Sequence, residues 1–331
     1  MSYGFVPPPV EVAKDVYLID LLESGNRHRT GAYVLLDELP TLIETGAAAS
    51  HEALLSGLRQ LGVAPADLAY VAVTHVHLDH AGGAGHLLAL APQAELLVHP
   101  RGARHMQDPS RLWAGAKAVY GDATERLFGE PIPIPEERIR VQEHESTLTI
   151  GSRTLTFLDS PGHASHHFTI LDPAADALFA GDAVGLLYHR GFTGLPFDFL
   201  MPSSSPVDFD PVAVHRTMDM LKSRQFSTVL HTHFGPSPKK EAIESTKRLA
   251  DLFADVIEHM YHPDITYTAV ADALQERVRE SLRKDGYGEV DLDCIRMDFE
   301  IDAMGLIHYQ ARKQRKARTA PPKESSPTPD T

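Results

Sequence analysis

Short apolar runs separated by turn residues fill the first part of the chain, and their spacing predicts strands. Val16–Asp20 (VYLID), Ala32–Leu36 (AYVLL) and Thr41–Glu44 (TLIE) are of strand length and strand composition. Thr45-Gly46 then turns the chain into a helix predicted over Ser50–Leu61, with Ser50 as its cap. Leu68–Val73 (LAYVAV) predicts a fully buried strand, AGHLLALAP a short helix ending near Pro92, and Glu95–Val98 (ELLV) another strand. Residues 100–145 are less regular. RGARHMQDPSRLWAGAKAVYG predicts helix interrupted at Pro109. PIPIP at 131–135 must be extended, because each proline fixes φ and removes a donor. Strand patterning returns at Ser152–Leu158, Phe168–Leu171, Ala177–Ala180 and Thr228–His231, with a helix over Asp210–Ser223 before the last.

After Pro238 the period changes. KKEAIESTKRLADLFADVIEHM and TAVADALQERVRESLRKDG carry apolar residues at helical spacing, and 291–315 also reads as helix. The expected organisation is a layered α/β domain over 1–238, a helical module over 239–315 and a Pro/Ser-rich disordered tail over 316–331.

Composition removes several classes. The chain has 331 residues, 43% of them hydrophobic, which suits a large packed core. Its apolar runs are too short to span a bilayer. MSYGFVPPPVEVAK lacks the basic and apolar regions of a secretory signal, so the expected location is cytoplasmic. The single cysteine, Cys294, excludes an internal disulfide and a cysteine-rich zinc site. A net charge of −14 disfavours nucleic acid as a partner and leaves a small molecule as the expected one. The one basic cluster, ARKQRKAR at 311–318, reads as a solvated helix end. No GxSxG, GxGxxG or Walker loop occurs, which weakens covalent-hydrolase and nucleotide-cofactor readings.

The candidate chemistry lies in THVHLDHAGG, residues 74–83, directly after the strand at 68–73. Residues two apart in an extended loop project to one side, so His75, His77 and Asp79 can face one point with His80 beside them. Imidazole nitrogen with carboxylate oxygen suits zinc or iron. Three more metal-capable residues follow strand ends, each beside a glycine: His163 in LDSPGHASHHF, Asp182 in LFAGDAVG and His233 in VLHTHFGP. Any one alone could be a turn or capping residue, and His163 or Asp182 taken singly reads better that way. Four such strand ends in succession point to one site, because sheet-edge loops converge.

Taken together, THVHLDHAGG, SPGHASHH, FAGDAVG and HFGP resemble the metallo-β-lactamase fold superfamily over residues 15–238, with the glyoxalase II and lactonase-like members as the nearest pattern. The resemblance implies an αββα sandwich with a dinuclear site at one edge. It assigns His75, His77 and His163 to one metal, Asp79, His80 and His233 to the second, and Asp182 as the bridge. Two divalent ions, most readily Zn2+ with Fe or Mn as alternatives, would share a hydroxide that attacks a small ester, lactone or thioester, with Asp79 moving a proton. His233 is preferred to His231 because Phe-Gly-Pro follows it. His167 is read as supporting a ligand rather than binding metal. His99, His105, His189 and His215 carry no motif support and are expected at the surface or rim. Where the family often has Asp-Thr-Gly, this chain has Glu44-Thr45-Gly46, a longer carboxylate behind the ligands.

The long stretch 185–211 reads either as a loop over the site or as an insertion packed against the C-terminal helices. In the first reading Tyr188 and His189 would hydrogen-bond a substrate carbonyl, as a tyrosine of this region does in some lactonases of the family. Phe192, Phe197, Phe199 and Met201 would line an apolar pocket. Two other activities in the superfamily compete: sulfur dioxygenase or diiron oxygen and nitric oxide chemistry, and nuclease or phosphodiesterase chemistry. His77 argues against the diiron reductases, and the acidic charge argues against a nuclease. Homodimers are common in the family, but the sequence itself shows none.

Overall fold

The computed structural model describes residues 5–319. The chain forms the expected αββα sandwich with a helical C-terminal segment. The first sheet runs in chain order: β1 (Val10–Ala13), β2 (Val16–Asp20), β3 (Gly31–Leu35), β4 (Thr41–Ile43), β5 (Tyr70–Ala72), β6 (Glu95–Val98) and β7 (Ile139–Val141). It is antiparallel up to β4 and parallel from β4 to β7. The second sheet contains β8 (Thr147–Thr149), β9 (Thr154–Asp159), β10 (Phe168–Asp172), β11 (Ala177–Gly181), β14 (Thr228–His231) and β15 (Gly235–Pro238), in the order β15-β14-β11-β10-β9-β8. A separate hairpin joins β12 (Leu186–Tyr188) to β13 (Phe199–Met201).

Alternation along the strands explains the layering. In β2 and β3, Val16, Leu18, Tyr33 and Leu35 face the space between the sheets, where they meet Phe157, Phe168 and Phe179. Ile19, Ala32 and Val34 point outward beneath α1 (His51–Gln60), which contributes Leu54 and Leu58. Outward-facing residues of β11, Leu178 and Ala180, are covered by helices from the second half of the chain. Strands buried on both faces need apolar residues at nearly every position. That is why they read as continuous runs rather than alternating ones.

The outer layer of the first sheet also includes α2 (Leu78–Ala81), α3 (Ala84–Leu90), α4 (Pro100–Gln107), α5 (Ser110–Tyr120) and α6 (Thr124–Phe128). A short α7 (Arg190–Thr193) interrupts the β12–β13 hairpin, and α8 (Pro211–Ser223) starts with Asp210 accepting from Val212 and Ala213 N–H. Then come α9 (Lys239–Met260), α10 (Tyr267–Lys284) and α11 (Arg296–Thr319). Their apolar faces, including Phe253, Val270, Leu274, Phe299 and Leu306, share one core with Val214, Met218 and Val229 of the second-sheet side.

Several expectations change. Ser50 makes no side-chain cap bond; a 3-10 turn over Ala48–Ser50 leads into α1 instead. Of the tail expected over 316–331, residues 316–319 are helical as the end of α11, and residues 320–331 lie outside the described residues. Of the two readings of 185–211, the insertion packed against the C-terminal helices holds and the loop over the site does not. Tyr188, Phe199, Leu200 and Met201 are buried in the core shared with α9–α11, because the hairpin's apolar face is covered by those helices. Arg312, from the basic cluster, donates to the carbonyls of Val207 and Phe209 and so braces a turn.

Candidate metal centre

Each residue of the cluster sits where a strand of one sheet or the other ends. His75 and His77 follow β5, Asp79 and His80 open α2, His163 follows β9, Asp182 follows β11, and His233 lies between β14 and β15. Bonds between the two halves hold the edge together: Phe168 N–H donates to Thr74 O at 2.9 Å and Gly31 N–H to Thr232 O at 2.8 Å. Gly181, with φ of +50°, precedes Asp182, and a Cβ there would overlap Thr74 Oγ1. Only glycine fits both that backbone and that space.

The seven residues form two triads. His75 Nε2, His77 Nδ1 and His163 Nε2 lie 3.0–3.2 Å apart. In the second triad, His233 Nε2 is 3.3 Å from His80 Nε2 and 3.4 Å from Asp79 Oδ2. Asp182 joins them: Oδ1 is 3.2 Å from His80 Nε2, and Oδ2 is 3.6 Å from His163 Nε2.

Residues behind the triads fix which nitrogen carries hydrogen. Thr74 Oγ1 donates to Glu44 Oε1 and so accepts from His75 Nδ1–H. His163 Nδ1–H donates to Ser203 O at 3.1 Å, His233 Nδ1–H to Arg29 O at 2.9 Å, and His80 Nδ1–H to Glu44 Oε1 at 3.3 Å. Each of these four rings therefore turns an Nε2 lone pair inward. His75 and His163 aim theirs at one spot from 3.2 Å apart, as do His80 and His233 from 3.3 Å. Facing lone pairs repel unless a cation or proton lies between them. Zinc–nitrogen bonds of about 2.0–2.1 Å in a tetrahedron put ligand atoms roughly 3.3 Å apart. The donor set fits a divalent metal at each triad.

Electrostatics agree. Burial, then neighbouring imidazoles, hold His75 and His77 well below the usual histidine range, in the neutral form that ligates. Burial opposes charge on His80 as well, but Asp182, Asp79 and Glu44 outweigh it and raise its pKa. Against their own burial, Asp79 and Asp182 are kept ionised chiefly by His80. A field that draws a proton to this point draws a cation equally. Asp79 is 26% exposed and Asp182 only 5%, so Asp79 is the carboxylate that meets solvent.

Residues 28–233, more than half of the chain, match the family model of the metallo-beta-lactamase superfamily. The chain belongs to that superfamily. It is 33% identical over 166 residues to a hydroxyacylglutathione hydrolase of Cupriavidus taiwanensis, covering 48% of this chain and 50% of that one. Over 175 residues it is 29% identical to an acyl-coenzyme A thioesterase of Gallus gallus, covering 52% and 58%. The chain spans about half the length of the curated relatives it matches. The solved structure of an archaeal metallo-beta-lactamase superfamily protein from Sulfolobus tokodaii overlays with a TM-score of 0.63 at 21% identity, over 88% of this chain and 98% of that one. That likeness concerns the fold alone.

Other expected residues fall in different places. His231 is fully buried with Nδ1 on Gly185 O at 3.0 Å and Nε2 on Ser237 Oγ at 2.7 Å, so neither nitrogen is left for the cluster. His167 stacks on His75 and its Nε2 accepts from Asp182 N–H, which holds the Asp182 backbone from behind. His99, expected at the surface or rim, is buried. It caps α4 through Nδ1 and bonds Asp159 through Nε2 at 2.9 Å. Tyr188 stacks on Phe199, and its hydroxyl is buried on the side of Asp298. Burial, then the charge of Asp298, push that phenol's pKa well up. His189 accepts from Gly191 N–H and caps α7. Phe197 is committed to packing: its ring stacks on Tyr287 at 3.9 Å, not on the cluster.

Sequence reasoning missed Thr74, Thr232, Arg29 and Ser203. Thr74 adjoins the motif and was findable as the neighbour of His75. Arg29 and Ser203 act through backbone carbonyls, which carry no residue signal. It also missed an apolar wall beside α2, where Leu78 and Phe128 pack with half-buried Trp113, Ala116, Tyr120 and Leu127.

Proposed function

We propose that this protein is a dinuclear metal-dependent hydrolase acting on a small thioester, with esters and lactones as the neighbouring substrate class. The observation that carries the reading is the pair of inward-facing donor triads joined by the two oxygens of Asp182. The two triads and Asp182 would hold divalent ions, which would supply Lewis acidity toward a water and the substrate's carbonyl oxygen. The thioester preference rests on the two relatives named as hydroxyacylglutathione hydrolase and acyl-coenzyme A thioesterase.

The chain's own residues fill the remaining roles. Asp79, ionised and partly open to solvent, orients a water by accepting its hydrogen bond and receives its proton. The Trp113–Tyr120–Leu127 wall beside Leu78 offers apolar surface to an acyl group.

The test is thiol release from a panel of acyl thioesters, run beside esters and lactones, for wild type, His77→Ala and Asp182→Ala. The reading expects turnover by wild type and its loss in both folded variants. Full turnover by both variants on every substrate that wild type cleaves would overturn it.

A further inference from the structure

Helix α11 lies wholly outside the residues matched by the family model, yet it touches the supports of both triads. We infer that α11 positions the metal centre, with Asp298 and Asp302 as the positioning residues: each anchors the backbone segment whose carbonyl orients one histidine, His233 in one triad and His163 in the other. The inference rests on reading the seven residues as a metal centre.

Asp298 and Asp302 are one helical turn apart, so they share a face of α11. They are 8% and 3% exposed. Asp298 receives a two-pronged bond from the Arg29 guanidinium, Nη1 to Oδ2 at 3.2 Å and Nη2 to Oδ1 at 2.7 Å. Such forks fix direction as well as distance. Arg29 is held further by Glu23 at 3.3 Å and by the ring of Phe192 at 5.0 Å. The carbonyl of this same residue takes the His233 Nδ1–H.

Asp302 Oδ1 accepts from Ser204 N–H at 2.6 Å and from Ser204 Oγ–H at 2.9 Å. The preceding carbonyl, that of Ser203, takes the His163 Nδ1–H. One turn beyond Asp302 along the helix, Gly305 lies against this segment so closely that a Cβ would overlap the Ser204 carbonyl oxygen. Farther along α11, Arg312 grips the carbonyls of Val207 and Phe209. Between them, Asp208 accepts from Ser165 N–H at 3.0 Å, two residues after His163. The helix thus holds the 203–209 segment at three points, and that segment holds the His163 corner at two. Partners behind a ligand set its ring rotation and tautomer, and their loss costs roughly 10–100-fold in metal affinity.

The test titrates metal-stripped protein with Zn2+ against a chromophoric chelator. Wild type should hold two ions tightly. Asp302→Ala should keep one tight ion and hold the other roughly 10–100-fold more weakly. Asp298→Ala should do the same. Asp302→Asn retains the Oδ1 acceptor and should restore two tight ions, which a merely structural role does not predict. Should Asp302→Ala fail to fold, Asp298→Asn decides: it keeps the shape, breaks one prong of the fork, and should weaken one ion by roughly tenfold. Two tight ions in folded Asp298→Ala, Asp298→Asn and Asp302→Ala would overturn the inference alone. A wild type that binds no Zn2+ would overturn the metal-centre reading and this inference with it.

Discussion

Replacing Glu44 by glutamine probes the support beneath the second triad. Glu44 is fully buried, and its carboxylate accepts from Thr74 Oγ1, from Thr74 N–H at 3.4 Å, from Thr232 Oγ1 at 3.3 Å and from His80 Nδ1–H at 3.3 Å. Glutamine keeps one acceptor oxygen. If that oxygen stays at Oε1, three partners survive, but the amide nitrogen then faces the Thr74 N–H, donor against donor. A buried N–H left without an acceptor costs about 1–3 kcal/mol, and turning charge-assisted bonds into neutral ones costs about 1 kcal/mol more. The fold should lose about 2–4 kcal/mol by that account. His80 also loses the negative charge behind it, so the triad of Asp79, His80 and His233 should weaken for metal by roughly 10–100-fold, which is about 1.4–2.7 kcal/mol. Urea unfolding reads the first figure, and Zn2+ competition with a chelator reads the second. Glu44→Gln protein with wild-type affinity for both ions would refute the claim that Glu44 orients His80.

Four further outcomes follow from the same geometry. His233→Ala should lose a tightly bound ion, whereas His231→Ala should keep the metal count and lose a few kcal/mol of stability, because Gly185 O and Ser237 Oγ are left unpaired; elemental analysis and urea unfolding of the pair separate the roles. Burial pushes the Asp302 carboxyl up from 3.8 to about 8, so between those values the folded chain keeps a proton that the unfolded chain releases. Stability should therefore fall as pH rises across that interval, by up to about 1.4 kcal/mol per pH unit, and Asp302→Asn should flatten this part of the profile. Gly181→Ala should cost more than about 2 kcal/mol in urea unfolding, since it forces a side chain onto a left-handed backbone against Thr74 Oγ1. Phe197→Ala should lower stability by about 1 kcal/mol through its lost stack on Tyr287 and leave KM unchanged in steady-state assays.

The site was more legible in the sequence than its supports were. Metal binding demands particular side chains, so His75, His77, Asp79 and His80 announce themselves within six positions, and His163, Asp182 and His233 recur after strand ends. Glu44 was findable for the same reason, as an acid at the end of β4. Arg29 and Ser203 were not, because each offers a carbonyl that any residue would offer. Asp298 lies 269 positions from Arg29, and Asp302 lies 98 from Ser204, so no local pattern could pair them. In the fold, the doubly buried strands read clearly. The three-residue strands β12 and β13 were lost among glycines and prolines, and the aromatic residues of that stretch suited a pocket and a packed insertion equally, of which they form the second.

The most direct test of the central claim is the metal content of protein purified without added metal, measured by elemental mass spectrometry. The two-triad centre predicts about two zinc or manganese ions per chain, with loss of the second ion in His233→Ala. About one iron per chain, unchanged in His233→Ala, would contradict a dinuclear hydrolytic site and leave the second triad without its assigned role.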